Sequence, residues 1–224
     1  WDVPGHEGRI EVALSYPYGP RQLEDLVRET DGYFQTAPIG MTSAGHGMLR
    51  LFNDPGTPGG NRPGVYCLAR QHAAEAPGSW VLDGLLRRLA AEGGTAPLVW
   101  ATPFVDLDGV LAGSAGKDRF PWDFNRAWGH KRFPESLRPA MGTHPMRHEI
   151  RALQNDLLRW QQRCRACLVL DFHAPTTCNH GGIYAYLRDV DADGQPDAAH
   201  APWVAACARR LPACMTAERF ARSG

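Results

Sequence analysis

The chain has 224 residues, enough for one sizeable domain with a proper core. Its 24 Lys plus Arg balance its 24 Asp plus Glu, and a formal net charge of zero leaves no basic footprint for nucleic acid or an anionic membrane. No apolar run is long enough to span a bilayer.

The chain opens Trp1-Asp2-Val3-Pro4-Gly5, with neither the basic start nor the apolar stretch of a signal peptide. A cytoplasmic protein is expected, and the missing initiator Met suggests a processed form or a fragment. Residues 10–14 read as a strand, followed by the turn-rich Tyr16-Pro17-Tyr18-Gly19-Pro20. Residues 22–30 read as a short helix, with Leu23, Leu26 and Val27 at helical spacing. Residues 48–52 read as a strand, and 54–64, dense in Gly and Pro, as a loop. Residues 64–69 form an apolar strand. Residues 79–91 form a helix with Trp80, Leu82, Leu85, Leu86 and Leu89 on its apolar face and Ser79 as its N-cap. Then come a strand at 98–101, a long polar loop through 103–128, a helix at 149–163 and strands at 167–172 and 183–187. A last helix begins at 202–210.

Strands alternating with helices predict a three-layer α/β/α sandwich around a mixed, largely parallel sheet. In such folds ligands bind beyond the carboxyl ends of strands, so chemistry is expected just after Ala69, Ala101 and Leu170. Six Cys stand at 67, 164, 167, 178, 207 and 214. The pair Cys164 and Cys167 has metal-site spacing but no matching second pair, so ordinary thiols are the expectation. Asp189, Asp191 and Asp193 before Gly194 have the spacing of a calcium loop. His200 stands where its bidentate Glu belongs, however, and Pro196 interrupts it, so a polar turn is read there.

Each expected strand end carries polar residues. After Ala69 comes Arg70-Gln71-His72-Ala73-Ala74-Glu75, where an imidazole and a carboxylate three residues apart can converge on a metal. Alone, such a pair also opens ordinary surface helices. After the strand at 98–101 comes Asp106-Leu107-Asp108-Gly109-Val110, then Lys117-Asp118-Arg119 and Asp123-Phe124-Asn125-Arg126-Ala127-Trp128. A loop this long within a compact domain is usually functional. After Leu170 comes Asp171-Phe172-His173, a natural ligand position. His130, His144, His148 and His180 could line the same cleft, but nothing marks them as ligands.

Taken in order, these pieces resemble the zinc carboxypeptidases related to carboxypeptidase A. The match is closest to the cytosolic carboxypeptidase branch and its bacterial relatives, through Arg70-Gln71-His72-x-x-Glu75, Ser79-Trp80-Val81 and Gly84. Tyr16-Pro17-Tyr18 resembles that branch's lead-in, where a β-rich domain precedes the catalytic one. The resemblance therefore implies a division into residues 1–30, the end of such a domain, and 31–224, a catalytic domain lacking its C-terminal strands. It implies one zinc ion on His72, Glu75 and His173, with an open position for an activated water. It assigns Asn125 and Arg126 to the substrate's terminal carboxylate, which the planar Arg fork suits. Asp123 would orient His72 from behind, and Arg119 or Lys117 would face the oxyanion. The family's general-base Glu has no counterpart on a late strand. Glu218 lies in a helix-like stretch, so the chain alone is expected to bind zinc and turn over poorly.

The resemblance implies removal of a C-terminal residue from a peptide. There are departures: Ala73-Ala74 replaces Pro-Gly, the family's Asn before Asp-Gly is replaced around Asp106 and Leu107, and Ala174-Pro175-Thr176-Thr177 replaces Gly-His-Ser. The last leaves room for a deacylase of N-acyl amino acids, of the succinylglutamate desuccinylase and aspartoacylase type. A binding module that keeps the fold without catalysis is the third possibility. Substrate side-chain preference and oligomeric state are not encoded in these motifs.

Overall fold

The computed structural model describes residues 12–13, 15–95, 97–117, 123–126, 128 and 147–174, with Pro202, Ala205, Ala206 and Arg209. The chain divides into two compact units, Trp1–Pro175 and Thr176–Gly224. In the second, the four described residues are helical. The strand expected at 183–187 lies outside the described residues. Residues 12 and 13 are not in a strand, and the rest of the expected first strand also lies outside the description.

The first unit holds a five-stranded sheet in the order β1-β2-β4-β3-β5. Its strands are β1 (Gln35–Met41), β2 (Gly47–Phe52), β3 (Pro63–Ala69), β4 (Leu98–Thr102) and β5 (Arg165–Phe172). β3 runs parallel to both β4 and β5, in the register Cys67↔Ala101 and Cys67↔Leu170. β2 joins β4 antiparallel, and β1 joins β2 antiparallel. The mixed sheet is thus parallel at β4-β3-β5, the part that carries the site.

Alternation along β3 and β4 builds a core on each face. Cys67, Ala69, Val99 and Ala101 face helices α1 (Pro20–Glu29) and α2 (Ala76–Glu92), meeting Leu26, Leu82 and Leu86. Tyr66, Leu68, Leu98 and Trp100 face α4 (His148–Arg163), meeting Ile150, Leu153 and Trp160. Each fully buried large apolar side chain contributes about 1.5–3 kcal/mol, so the central strands are the rigid base of the unit. Among the described residues no helix is long and apolar enough to cross a membrane.

Three local expectations need correction. α2 starts at Ala76, a turn before Ser79, because Pro77 fits the first helical turn; Ser79 is an interior, buried residue and not the N-cap. The segment 103–128 is not one loop. Asp106 caps a short helix, α3 (Leu107–Ala112), by accepting from the Gly109 N–H at 2.9 Å, and Phe124–Arg126 forms a 3-10 turn. β1 was not anticipated, since Pro38 and Gly40 are poor strand formers. It sits at the sheet edge, where proline is tolerated, and its register shifts between Pro38 and Gly40.

Candidate metal centre

The chain leaves β3 through Arg70, which adopts a left-handed φ of 61°. That conformation is costly for a side-chain-bearing residue. Its guanidinium turns back to hold the loop, Nε donating to the Ala73 carbonyl at 2.8 Å and Nη1 to the Tyr18 carbonyl at 2.9 Å. Burial lowers the Arg70 pKa to about 10, against the opposing pull of Asp106 and Glu75, so it stays charged at neutral pH. The segment after β4 continues alongside, with Val105 N–H donating to Ala69 O at 3.1 Å and Asp106 N–H to Arg70 O at 2.8 Å. The turn carrying His72 and Glu75 is therefore fastened from both sides before any ligand arrives.

His173 comes from the end of β5, which the first turn of α2 approaches closely. A Cβ on Gly78 would stand 2.9 Å from the Phe172 carbonyl oxygen, so only glycine lets the two backbones meet as they do. The contact brings Ala174 N–H to Glu75 Oε2 at 3.0 Å.

The three expected ligands meet. One ligand atom from each of His72, Glu75 and His173 can be chosen so that all lie within 4.8 Å of one another. His72 and Glu75 are buried, and His173 is half-buried. Both imidazoles point Nδ1 inward. His72 Nδ1 lies 2.8 Å from Glu75 Oε1, and His173 Nδ1 lies 2.8 Å from Glu75 Oε2. Both point Nε2 outward to a carboxylate, His72 to Asp123 at 2.9 Å and His173 to Asp171 at 3.0 Å.

The protons follow from this geometry. Each ring nitrogen faces a carboxylate oxygen, and an ionised carboxylate can only accept. Burial alone would lower the His173 pKa, but Asp171 and Glu75 outweigh it and raise it to about 9. His72 is raised in the same way, burial opposing and Asp123 and Glu75 prevailing. Burial would raise Glu75, yet hydrogen bonds from His173, His72 and the Ala174 N–H hold its carboxyl far below the usual range. Two imidazole nitrogens, a carboxylate and an Nε2 carboxylate behind each ring form a donor set that fits zinc.

Asp123 Oδ1, which faces His72 Nε2, also accepts from the Asn125 N–H at 2.8 Å. Lys117 Nζ reaches Glu75 Oε1 at 3.3 Å, guided by Gly116, whose left-handed φ of 82° lies against the Ala73 backbone. Asn125 and Arg126 share the 3-10 turn, and the Arg126 side chain lies outside the described residues. Arg119, Glu218, His130, His144, His180 and the run from Asp189 to His200 also lie outside them. His148 is exposed, its Nε2 3.8 Å from Glu149, and it is not in the cluster. Cys67, Cys164 and Cys167 are free thiols, as expected. Asp171, Gln71 and Trp128 were not assigned roles from the sequence. The Asp-x-His spacing at a strand end was the available signal for Asp171, whereas the other two depend on tertiary contact.

No protein-family model matches the chain, and no curated protein matches it in sequence. Solved structures do. A metallo-carboxypeptidase from Burkholderia cenocepacia superposes with a TM-score of 0.64 at 18% identity, over 89% of this chain and 52% of that one. Carboxypeptidase A from Helicoverpa armigera gives 0.57 at 15% identity, over 87% and 54%. A Pseudomonas aeruginosa metallo-carboxypeptidase in complex with (2-guanidinoethylmercapto)succinic acid gives 0.54 at 21%, over 76% and 43%. The chain spans about half the length of these enzymes. Identities this low speak to architecture: over the part it spans, the chain has the α/β fold of the carboxypeptidase A-like metallo-carboxypeptidases.

Proposed function

We propose that the chain carries the zinc-binding part of a metallocarboxypeptidase-type hydrolase, with His72, Glu75 and His173 as ligands. The observation that carries this reading is the convergence of those three side chains beyond the ends of β3 and β5, each imidazole backed by a carboxylate. A bound zinc ion would supply a Lewis acid and an acidified water. The chain's own residues do the rest. Asp123 and Asp171 fix the rings so that Nδ1 faces inward. Lys117 offers a cation at the edge of the cluster, suited to a developing negative charge, with Arg119 as the alternative. Asn125 and Arg126, in the turn that begins at Asp123, are assigned to a substrate carboxylate. The proposed reaction removes a C-terminal residue from a peptide. This reading assigns no general base within the chain.

Deacylation of an N-acyl amino acid would use the same ligands and the same Arg126, and the Thr-rich sequence after His173 is the feature that favours it. One set of measurements tests the assignment. Purified protein should hold about one zinc per chain, and His72→Ala and His173→Ala should each weaken it by about 100-fold or more, because two protein ligands rarely retain catalytic zinc. Unchanged zinc in both variants, by elemental analysis after dialysis against a chelator, overturns the assignment. A panel of free-acid peptides, their amides and N-acyl amino acids then separates peptidase from deacylase.

A further inference from the structure

The two carboxylates behind the imidazoles are both tied to one short segment, residues 123–128. Asp123 belongs to it. Asp171 is reached through Gln71, whose Oε1 accepts from the Trp128 indole Nε1–H at 2.6 Å and whose Nε2 donates to Asp171 Oδ2. Chemistry fixes the direction of this chain. An indole N–H only donates and a carboxylate only accepts, so a single orientation of the Gln71 carboxamide satisfies both. Asp171 Oδ2 is left to accept from His173 Nε2 at 3.0 Å. Gln71 is 2% exposed, so bulk water does not compete for its amide. Trp128 is anchored in turn, its carbonyl accepting from Gln154 Nε2 of α4 at 3.1 Å.

We propose that Gln71 is a positioning residue in an ordered relay, Trp128 to Gln71 to Asp171 to His173. Through it, the segment that bears Asn125 and Arg126 sets the orientation of both metal-facing imidazoles. The proposal rests on the zinc reading above. Its consequence is that metal affinity and the placement of the carboxylate-binding turn are coupled rather than separate properties.

The test is zinc and cobalt binding by the purified chain, with zinc affinity from competition against a chromophoric chelator and the ligand field from cobalt absorption. Gln71→Leu, Asp171→Asn and Trp128→Phe should each keep one ion per chain, weaken zinc by roughly 10- to 100-fold and shift the cobalt bands. Trp128→Phe removes the indole N–H and some ring volume while keeping an aromatic ring and leaving Gln71 in place, so it serves if Gln71→Leu fails to fold. Because the residues act in series, the double variant Gln71→Leu/Trp128→Phe should bind no more weakly than Gln71→Leu alone. Single variants with wild-type affinity and unshifted cobalt bands overturn the relay, as do strictly additive losses. His173→Ala keeps the two failures apart. If it loses zinc while the relay variants match wild type, the relay alone is wrong; if it binds zinc as wild type does, the metal reading falls and the relay with it.

Discussion

Two clusters of buried charge flank the same strands and are built differently. Under α4, Asp156 takes Arg50 Nη1 at 2.6 Å on one oxygen and the Tyr66 hydroxyl at 2.9 Å on the other, and Tyr66 also meets Thr102 Oγ1 at 2.9 Å. The cation of that cluster is a covalent part of the chain, and it stacks on Trp100 with its guanidinium carbon 3.6 Å from the ring centroid. Beyond the ends of β3 and β5, by contrast, His72, Glu75 and His173 turn ligand atoms toward a common point. The contrast teaches that buried charge by itself does not mark a functional site. The candidate site is set apart by good ligand atoms that converge, with their far sides already held.

The largest effect should come from the closed cluster. Burial pushes the Asp156 carboxyl up, while Arg50 and Tyr66 pull it back. Asp156→Ala strands a guanidinium whose side chain is 13% exposed, and breaking a buried pair of this kind costs about 3–5 kcal/mol. The variant should show a much lower urea midpoint yet, while folded, bind zinc with wild-type affinity. A loss of zinc affinity in folded Asp156→Ala protein would show that the two clusters are not independent.

A smaller effect separates two glycines of α2. Gly84 has nothing within 4 Å of where a Cβ would stand, so Gly84→Ala should stabilise the helix by about 0.5–1 kcal/mol. Gly78 lies 2.9 Å, in the same sense, from the Phe172 carbonyl oxygen. Gly78→Ala should reverse the sign, costing about 1–3 kcal/mol in overpacking. It should also weaken zinc binding several-fold by displacing the strand end next to His173. Paired denaturation curves and zinc isotherms check this, and a stabilised Gly78→Ala protein with normal zinc affinity would refute the close approach.

The same contrast explains what the sequence could and could not disclose. The strands β2 to β5 are apolar runs bounded by Gly, Pro or polar residues, and hydrophobic patterning finds such runs. His72, Glu75 and His173 were legible because each follows a parallel strand by a few residues, where the fold exposes side chains. β1 was hidden because Pro38 and Gly40 break the pattern; its place at an edge, with Gly40 set close against Ala152 of α4, is tertiary information. α3 was hidden because six residues carry too little periodicity. The brace by Arg70 and the link through Gln71 were hidden for a different reason. Both depend on where a carbonyl or an indole of a distant segment arrives, and no spacing within residues 70–75 encodes that.

A further effect, well below that of Asp156→Ala, lies at the N-terminus of α4, and it is read by pH. Glu149 is 1% exposed. Its Oε1 accepts from Ser43 Oγ at 2.6 Å and Ser43 N–H at 2.9 Å, and Arg147 lies 3.4 Å from each carboxylate oxygen. Burial would raise this carboxyl, but Ser43 and Arg147 outweigh it and hold the pKa below its ordinary 4.5. A depressed carboxylate stabilises the fold fully above its unfolded value, and that contribution is lost as pH falls through the folded value. Wild-type stability should therefore drop as the pH goes below about 4.5. Glu149→Gln keeps an acceptor for Ser43 but gives up the charge, so it should be less stable than wild type by about 1–2 kcal/mol near neutral pH. That gap should narrow in acid, because the wild-type side chain then becomes neutral too. Urea midpoints of the two proteins at about pH 7 and about pH 3.5 measure the narrowing. A gap of constant size would mean that Glu149 contributes through shape and hydrogen bonding alone, making this a third kind of buried polar site beside the closed pair and the open ligand cluster.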